Sequence, residues 1–195
     1  MMMSSGGIEL ESKVQGGLLK GLKRSVLGGE SLFITKFTAS GGGGWVDCAA
    51  RLPGDITVMD VEGSLNLTSG AWLASSEGVE IDTKWGGFKN LVGGEGGFLI
   101  HATGNGQVVA ACYGALETIT LGAGETLVLN SGHLIAFSEG LEYTTRTVSK
   151  KLVQSFTSGE GFVFDFTGPG RVWLQTRSQG SLISWLTSEL PFSRD

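Results

Sequence analysis

The sequence is poor in the residues that build most catalytic and metal sites. Two cysteines and two histidines are present among 195 residues. Cys48 and Cys112 are too few for a disulfide framework and lack the paired spacing of a zinc site. His101 and His133 are not spaced as a ligand pair, and no Gly-x-Ser-x-Gly, Walker or dinucleotide-binding motif is present. We therefore predict no catalytic residues, no metal site and no cofactor.

Long apolar runs are also missing. No segment approaches the ~18 consecutive apolar residues that a membrane-spanning helix needs. Residues 1–7 have neither the cationic start nor the apolar stretch of a signal peptide. These features predict a cytoplasmic protein.

Glycine is the residue in excess, with 33 copies against only three prolines. The absence of a strict third-residue period excludes collagen. Much of the glycine lies between short runs rich in Val, Ile, Phe, Thr and Leu, which is typical of many short strands joined by tight turns. Helical spacing is confined to Leu18–Val26 and to Leu182–Leu190, the second closed by Pro191. We predict an all-β fold with a short connecting helix and a short C-terminal helix.

Short blocks of sequence recur about every 65 residues. Gly-Glu pairs at residues 29–30, 94–95 and 159–160 each open an apolar run that begins at Phe33, Phe98 or Phe162. A fixed period of this size indicates a repeat architecture. We predict three β-roll or β-sandwich modules, similar to a double-stranded β-helix, in a pseudo-threefold arrangement. Their predicted boundaries are 29–93, 94–158, and 159–195 completed by 1–28, so that the N-terminal strands pair with residues 159–178.

Four features of the sequence carry a family resemblance: the run Met1–Glu9, the Gly-Glu openings, Ser131–Leu134 and the closing Gln175–Arg177. They resemble the AIM24 family, formerly a domain of unknown function, and the likeness covers nearly the whole chain. The resemblance implies a single domain of 1–195, built from three modules similar in fold to the tryptophan RNA-binding attenuation protein. It also implies that N-terminal strands of the family are missing here. Bacterial members are expected in the cytoplasm and eukaryotic members in mitochondria, and no catalytic residue carries over.

Charge is unevenly distributed along the chain. Three connectors between the modules, at residues 13–27, 84–92 and 146–153, hold nine of the 14 basic residues and no Asp or Glu. The whole chain nevertheless has a formal net charge of −5. This contrast predicts a basic connector face that contacts an anionic surface. Its candidate residues are Lys20, Lys23, Arg24, Lys84, Lys89, Lys150 and Lys151; alternatively, the connector lysines are simply solvated.

A second candidate is a polar cluster. Lys36, His101 and Asp165 occupy equivalent positions in the three apolar runs. Under pseudo-threefold symmetry they converge near the axis or face solvent separately. We favour solvent exposure, because charged residues are rarely buried unless they are paired.

These observations predict a non-enzymatic binding or scaffold protein of undefined ligand. Strand edges of β-rolls are covered by neighbouring subunits, which predicts a homo-oligomer, either a trimer or a closed ring. The predicted partner of the connectors is an anionic membrane surface or an acidic protein. RNA binding, by analogy with the attenuation protein, is one alternative, which the net negative charge weakens. An enzyme whose site is assembled between subunits is another.

Overall fold

Short antiparallel strands make up most of the regular structure. The computed structural model describes residues 1–14, 33–68, 70–84, 99–147 and 162–190. The strands are β1 (Met3–Ser4), β2 (Ile8–Val14), β3 (Phe33–Ala39), β4 (Val46–Asp47), β5 (Ile56–Thr68), β6 (Trp72–Ser75), β7 (Val79–Lys84), β8 (Leu99–Ala111), β9 (Leu116–Leu121), β10 (Thr126–Asn130), β11 (Leu134–Ser138), β12 (Glu142–Thr147), β13 (Phe162–Thr167) and β14 (Gly170–Gln175). The predicted all-β class is confirmed.

The C-terminal helix is confirmed as well. Helix α1 spans Gln179–Glu189 and follows Ser178, whose Oγ accepts a hydrogen bond from the backbone N–H of Ser181 at 3.3 Å. Within the described residues, no helix combines the length and apolarity that crossing a bilayer requires. The predicted connecting helix at Leu18–Val26 lies outside the described residues.

The chain divides into two compact units. Unit 1 comprises Met1–Arg51 and Val58–Ala110, and unit 2 comprises Leu52–Thr57 and Ala111–Asp195. The core of unit 1 includes Val61, Leu67, Ala102 and Val108, each at most 1% exposed.

The core of unit 2 is aromatic. Phe166 is fully buried and stacks on Phe164, with ring centroids 5.5 Å apart. Phe137 lies 5.3 Å from Phe166 and 5.0 Å from Tyr143. Burial raises the pKa of the Tyr143 hydroxyl.

One nested pairing pattern occurs three times along the chain. In set 3 (β11–β14), β12 pairs with β13 and β11 pairs with β14. In set 2 (β6–β8), β7 pairs with the first half of β8 and β6 with its second half. In set 1 (β1–β4), β2 pairs with β3 and β1 pairs with β4. Each set therefore encloses an inner strand pair within an outer one.

Two of the sets gain further strands from the segment that precedes them. β10 pairs with β13 and β9 with β14 in set 3, while β5 pairs with β8 in set 2. In the described part of the chain, β2 and β3 form a two-stranded sheet, and so do β1 and β4. Among the described strands, set 1 thus contains β1–β4 alone.

The predicted completion of the third module by the N-terminus is wrong. β2 pairs with β3 over its whole length, whereas β13 pairs with β10 and β12. Closing a loop to a strand nearby in sequence costs less conformational entropy than closing one to the far end of the chain. The predicted boundaries of the modules and their pseudo-threefold arrangement stay predictions.

Candidate functional site

The three basic connectors lie at equivalent places in the fold. Each lies between the inner strands of a set, which pair with each other: Val14 faces Phe33, Lys84 faces Leu99 and Thr147 faces Phe162. Each connector therefore lies in the segment that links one antiparallel strand pair, and a Gly-Glu pair follows it in the same segment. This common position is the main geometric feature of the candidate site.

A short sequence pattern repeats on the strands that lead into the connectors. In the segments 8–13, 79–84 and 141–146, an apolar residue is followed by Glu, an apolar residue, a polar residue, Ser or Thr, and finally Lys or Arg. The pattern holds the same register in all three sets. Its glutamates, Glu9, Glu80 and Glu142, lie opposite Thr38, Thr103 and Thr167, and its cations, Lys13, Lys84 and Arg146, lie opposite Ile34, Leu99 and Val163. A basic residue is therefore the last or next-to-last residue of each strand that leads into a connector.

Only part of the predicted anionic contact can be placed. Lys84 is the last residue of β7. The other six candidates, Lys20, Lys23, Arg24, Lys89, Lys150 and Lys151, lie outside the described residues. Arg146 is exposed and holds Asp165 through Nε at 2.8 Å and Nη2 at 3.2 Å. Such an exposed pair stabilises the fold by no more than about 1 kcal/mol, but it orients the arginine at the strand end.

The members of the predicted polar cluster each lie opposite a polar residue. Lys36 faces Glu11, His101 faces Asp82 and Asp165 faces Thr144. The Lys36 ammonium bonds the Glu77 carboxylate, and that hydrogen bond and charge raise the pKa of Lys36.

His101 corrects the expected exposure of this group, because only 8% of it is accessible to solvent. A polar side chain can be buried where a polar partner compensates its desolvation, and Asp82 lies opposite His101 on β7. The convergence of Lys36, His101 and Asp165 stays a prediction.

A polar junction in unit 2 has no counterpart in the sequence-based predictions. The Gln175 amide donates to Gly132 O at 2.8 Å and accepts from the Tyr113 N–H at 2.8 Å. His133 Nδ1 donates to the backbone oxygen of Gln175 at 2.7 Å. The guanidinium of Arg177 lies 5.7 Å from the centre of the Tyr113 ring. Gln175 therefore joins three segments that are far apart in sequence.

Cys112 borders this junction and is a structural residue. Its thiol is buried and donates to Gly114 O at 3.3 Å. Burial raises the pKa of the thiol, which lowers the fraction of reactive thiolate. Within the described ranges, no group of three or more His, Cys, Asp or Glu residues could hold a metal ion.

Replacing Gln175 with alanine is expected to lower the free energy of unfolding by about 2 kcal/mol, because it leaves the Tyr113 N–H and the Gly132 carbonyl without their side-chain partner. Urea unfolding measures the change. Gln179→Ala, on the exposed first residue of α1, serves as the control and is expected to change stability by less than about 0.5 kcal/mol. Equal losses for the two variants would contradict the assigned role of Gln175.

Comparison with known proteins assigns the family. The family model described as "Mitochondrial biogenesis AIM24" matches residues 1–177. The chain belongs to the AIM24 family. An uncharacterized AIM24-like protein of Streptococcus pyogenes serotype M6 is 32% identical over 181 residues, which cover 91% of this chain and 72% of that protein. The X-ray crystal structure of another S. pyogenes protein matches with a TM-score of 0.78 and 30% identity, covering 97% of this chain and 86% of that one.

Family membership confirms the resemblance drawn from residues 1–9, 131–134 and 175–177. The predicted similarity of AIM24 modules to the attenuation protein stays a prediction.

Proposed function

We propose that this AIM24 protein is a non-enzymatic binding protein that attaches to anionic lipid surfaces through its three basic connectors. The observation that carries the proposal is their common position, since each connector lies in the segment between the inner strands of one set, and Lys or Arg is the last or next-to-last residue of the strand before it. A cation near an anionic membrane contributes about 1 kcal/mol of binding free energy. Several such cations together give measurable attachment even though the whole chain carries a net charge of −5.

The apolar residues of the connectors favour lipid over nucleic acid. The three connectors interleave their cations with large apolar residues: Leu18, Leu19, Leu22, Trp85, Phe88, Leu91, Leu152 and Val153. Headgroup regions accept both kinds of side chain, because the cations contact phosphates while the apolar groups enter the boundary with the acyl chains. The phosphates of duplex or single-stranded RNA attract the cations, but they make no favourable contact with most of these aliphatic side chains.

The direct test is co-sedimentation with vesicles of phosphatidylcholine alone and of phosphatidylcholine with phosphatidylserine. The protein is expected to pellet only with the anionic vesicles and to be released as salt rises, because the Debye length shortens to about 8 Å at physiological ionic strength. Lys20→Glu/Lys23→Glu is expected to weaken this partitioning at least about 30-fold, from about 1 kcal/mol for each cation removed.

The matched control is Arg51→Glu/Arg171→Glu, which makes the same charge change at two exposed residues outside the connectors. This variant is expected to retain most of the binding. Equal binding to neutral and anionic vesicles, or equal losses in the two variants, would contradict the connector proposal. A gel-shift of mixed RNA that is abolished by the connector variant would replace the lipid with RNA as the ligand.

Three further expectations stay predictions beside this proposal. They are the absence of enzymatic activity, a homo-oligomer in the form of a trimer or ring, and a cytoplasmic location for a bacterial-type member of the family.

A further inference from the structure

The first residue of the third connector, Arg146, is held by a carboxylate. Arg146 lies opposite Val163, and Asp165 lies two residues farther along β13. Diagonal neighbours on an antiparallel strand pair lie within reach of long side chains. Arg146 Nε donates to Asp165 Oδ2 at 2.8 Å, and Nη2 donates to Oδ1 at 3.2 Å. The guanidinium therefore binds both oxygens of one carboxylate.

The register of set 3 explains why Asp165 binds this arginine. Both residues that face Asp165 are uncharged, since Thr144 faces it on β12 and Val128 faces it on β10. An acid faces a basic residue at the equivalent level of the other two sets, in the pairs Glu11–Lys36 and Asp82–His101. In set 3 the carboxylate instead pairs along the diagonal, with the cation near the end of β12.

This pairing limits what Arg146 can offer to an external anion. A guanidinium has five N–H donors, and the carboxylate accepts from two of them and neutralises the charge. The side chain of Arg146 is nevertheless 57% exposed, so ions in solution can reach it. An exposed ion pair and a cation beside an anionic membrane have similar stabilities. A phosphate that approaches this strand end must therefore compete with Asp165 for Arg146.

We propose that Asp165 restrains the third connector, because it withholds Arg146 from the phosphates of an anionic lipid surface. The proposal rests on the lipid attachment proposed above for the connectors. Asp165 is a positioning residue that acts through Arg146 and is not itself a lipid contact. Removal of its charge frees the guanidinium, which can then bind a headgroup phosphate through two parallel N–H···O bonds.

The test is co-sedimentation of the full chain with vesicles of phosphatidylcholine and phosphatidylserine. The salt concentration is about 0.1 M, where the Debye length is about 10 Å. Asp165→Asn keeps the size of the side chain and removes its charge. This variant is expected to raise the partition coefficient about fivefold, which is the effect of one additional cation at the membrane.

Two further variants separate the role of the pair from a general change in charge. Glu142→Gln removes the same charge from an exposed residue at the other end of β12, about 13 Å from Arg146 along the strand. It is expected to change partitioning by less than about twofold, because that distance exceeds the Debye length. In an Arg146→Gln background, Asp165→Asn is also expected to change partitioning by less than about twofold, because the arginine through which it acts is gone.

The outcomes distinguish this inference from the lipid attachment itself. Circular dichroism checks that the variants are folded, as the loss of an exposed ion pair should allow. If the wild type does not pellet with anionic vesicles, or Lys20→Glu/Lys23→Glu has no effect, the lipid attachment fails and this inference fails with it. If the wild type binds through its connectors but Asp165→Asn behaves like Glu142→Gln, only the role of Asp165 is overturned. Weaker binding by Asp165→Asn, or the same gain without Arg146, overturns that role as well.

Discussion

Replacing Phe166 with alanine is expected to lower the free energy of unfolding by about 3–5 kcal/mol. The side chain is fully buried, its ring stacks on Phe164 at an interplanar angle of 8°, and its centroid lies 5.3 Å from that of Phe137. Truncation removes these contacts and leaves a cavity that the stiff neighbouring strands cannot close. Chemical denaturation followed by far-ultraviolet circular dichroism measures the loss.

Phe37 provides the matched control, because it holds the same register position in set 1 as Phe166 holds in set 3. Phe37 is only half-buried, and its facing residue Leu10 is largely exposed. Phe37→Ala is therefore expected to lower the free energy of unfolding by about 1–2 kcal/mol, because less buried apolar area is lost. Equal losses for the two alanine variants would contradict the difference in burial between Phe37 and Phe166.

Replacing Gly54 with alanine is expected to destabilise unit 2 by about 3 kcal/mol or more. A Cβ at this position would lie 2.1 Å from Cys112 O and 2.7 Å from Gly114 N. Both are backbone atoms, so no side-chain rotation relieves the overlap. The parallel bridge between Gly54 and Gly114 would have to separate, together with the hydrogen bonds from Gly114 N to Pro53 O and from Asp55 N to Gly114 O, each 3.0 Å long.

Gly6→Ala separates this steric effect from the general effect of losing a glycine. A Cβ on Gly6 meets no atom within 4 Å, and its backbone lies outside the left-handed region. This control is expected to change stability by less than about 0.5 kcal/mol. Thermal unfolding of the two variants should give a clear drop in melting temperature for Gly54→Ala alone, and similar melting temperatures would refute the close approach at Gly54.

The fold class was predictable because it depends on local patterns. Alternating apolar residues and glycine-rich turns specify short strands, and the spacing of Leu182, Ile183 and Leu186 specifies a helix that begins after Ser178. Strand partners depend on long-range packing, which is why the predicted pairing of β2 with residues 159–178 is wrong. The repeated pattern that ends at Lys13, Lys84 and Arg146 marks β2, β7 and β12 as equivalent strands. It does not recur at the 65-residue spacing, because the connectors differ in length.

Only the composition of the candidate site, and not its geometry, was predictable from the sequence. Acid-free basic connectors are visible in the sequence, whereas their common position at the ends of inner strand pairs requires the register of β2, β7 and β12. The junction at Gln175 could not be foreseen, since a glutamine in a strand matches no motif. Its bonds reach Tyr113 and Gly132, which are distant in sequence. The burial of His101 likewise depends on its neighbours in the fold, which its residue type does not specify.

Nested pairing has a consequence for how the chain folds. In set 3, the inner pair joins Thr147 to Phe162, and the outer pair joins Leu134 to Leu174. The inner strands close the shorter loop and therefore form first, after which the outer strands are already near each other and close at a small entropic cost. Interactions of β12 and β13 should thus be present in the folding transition state, while those of β11 and β14 form late and govern mainly the rate of unfolding.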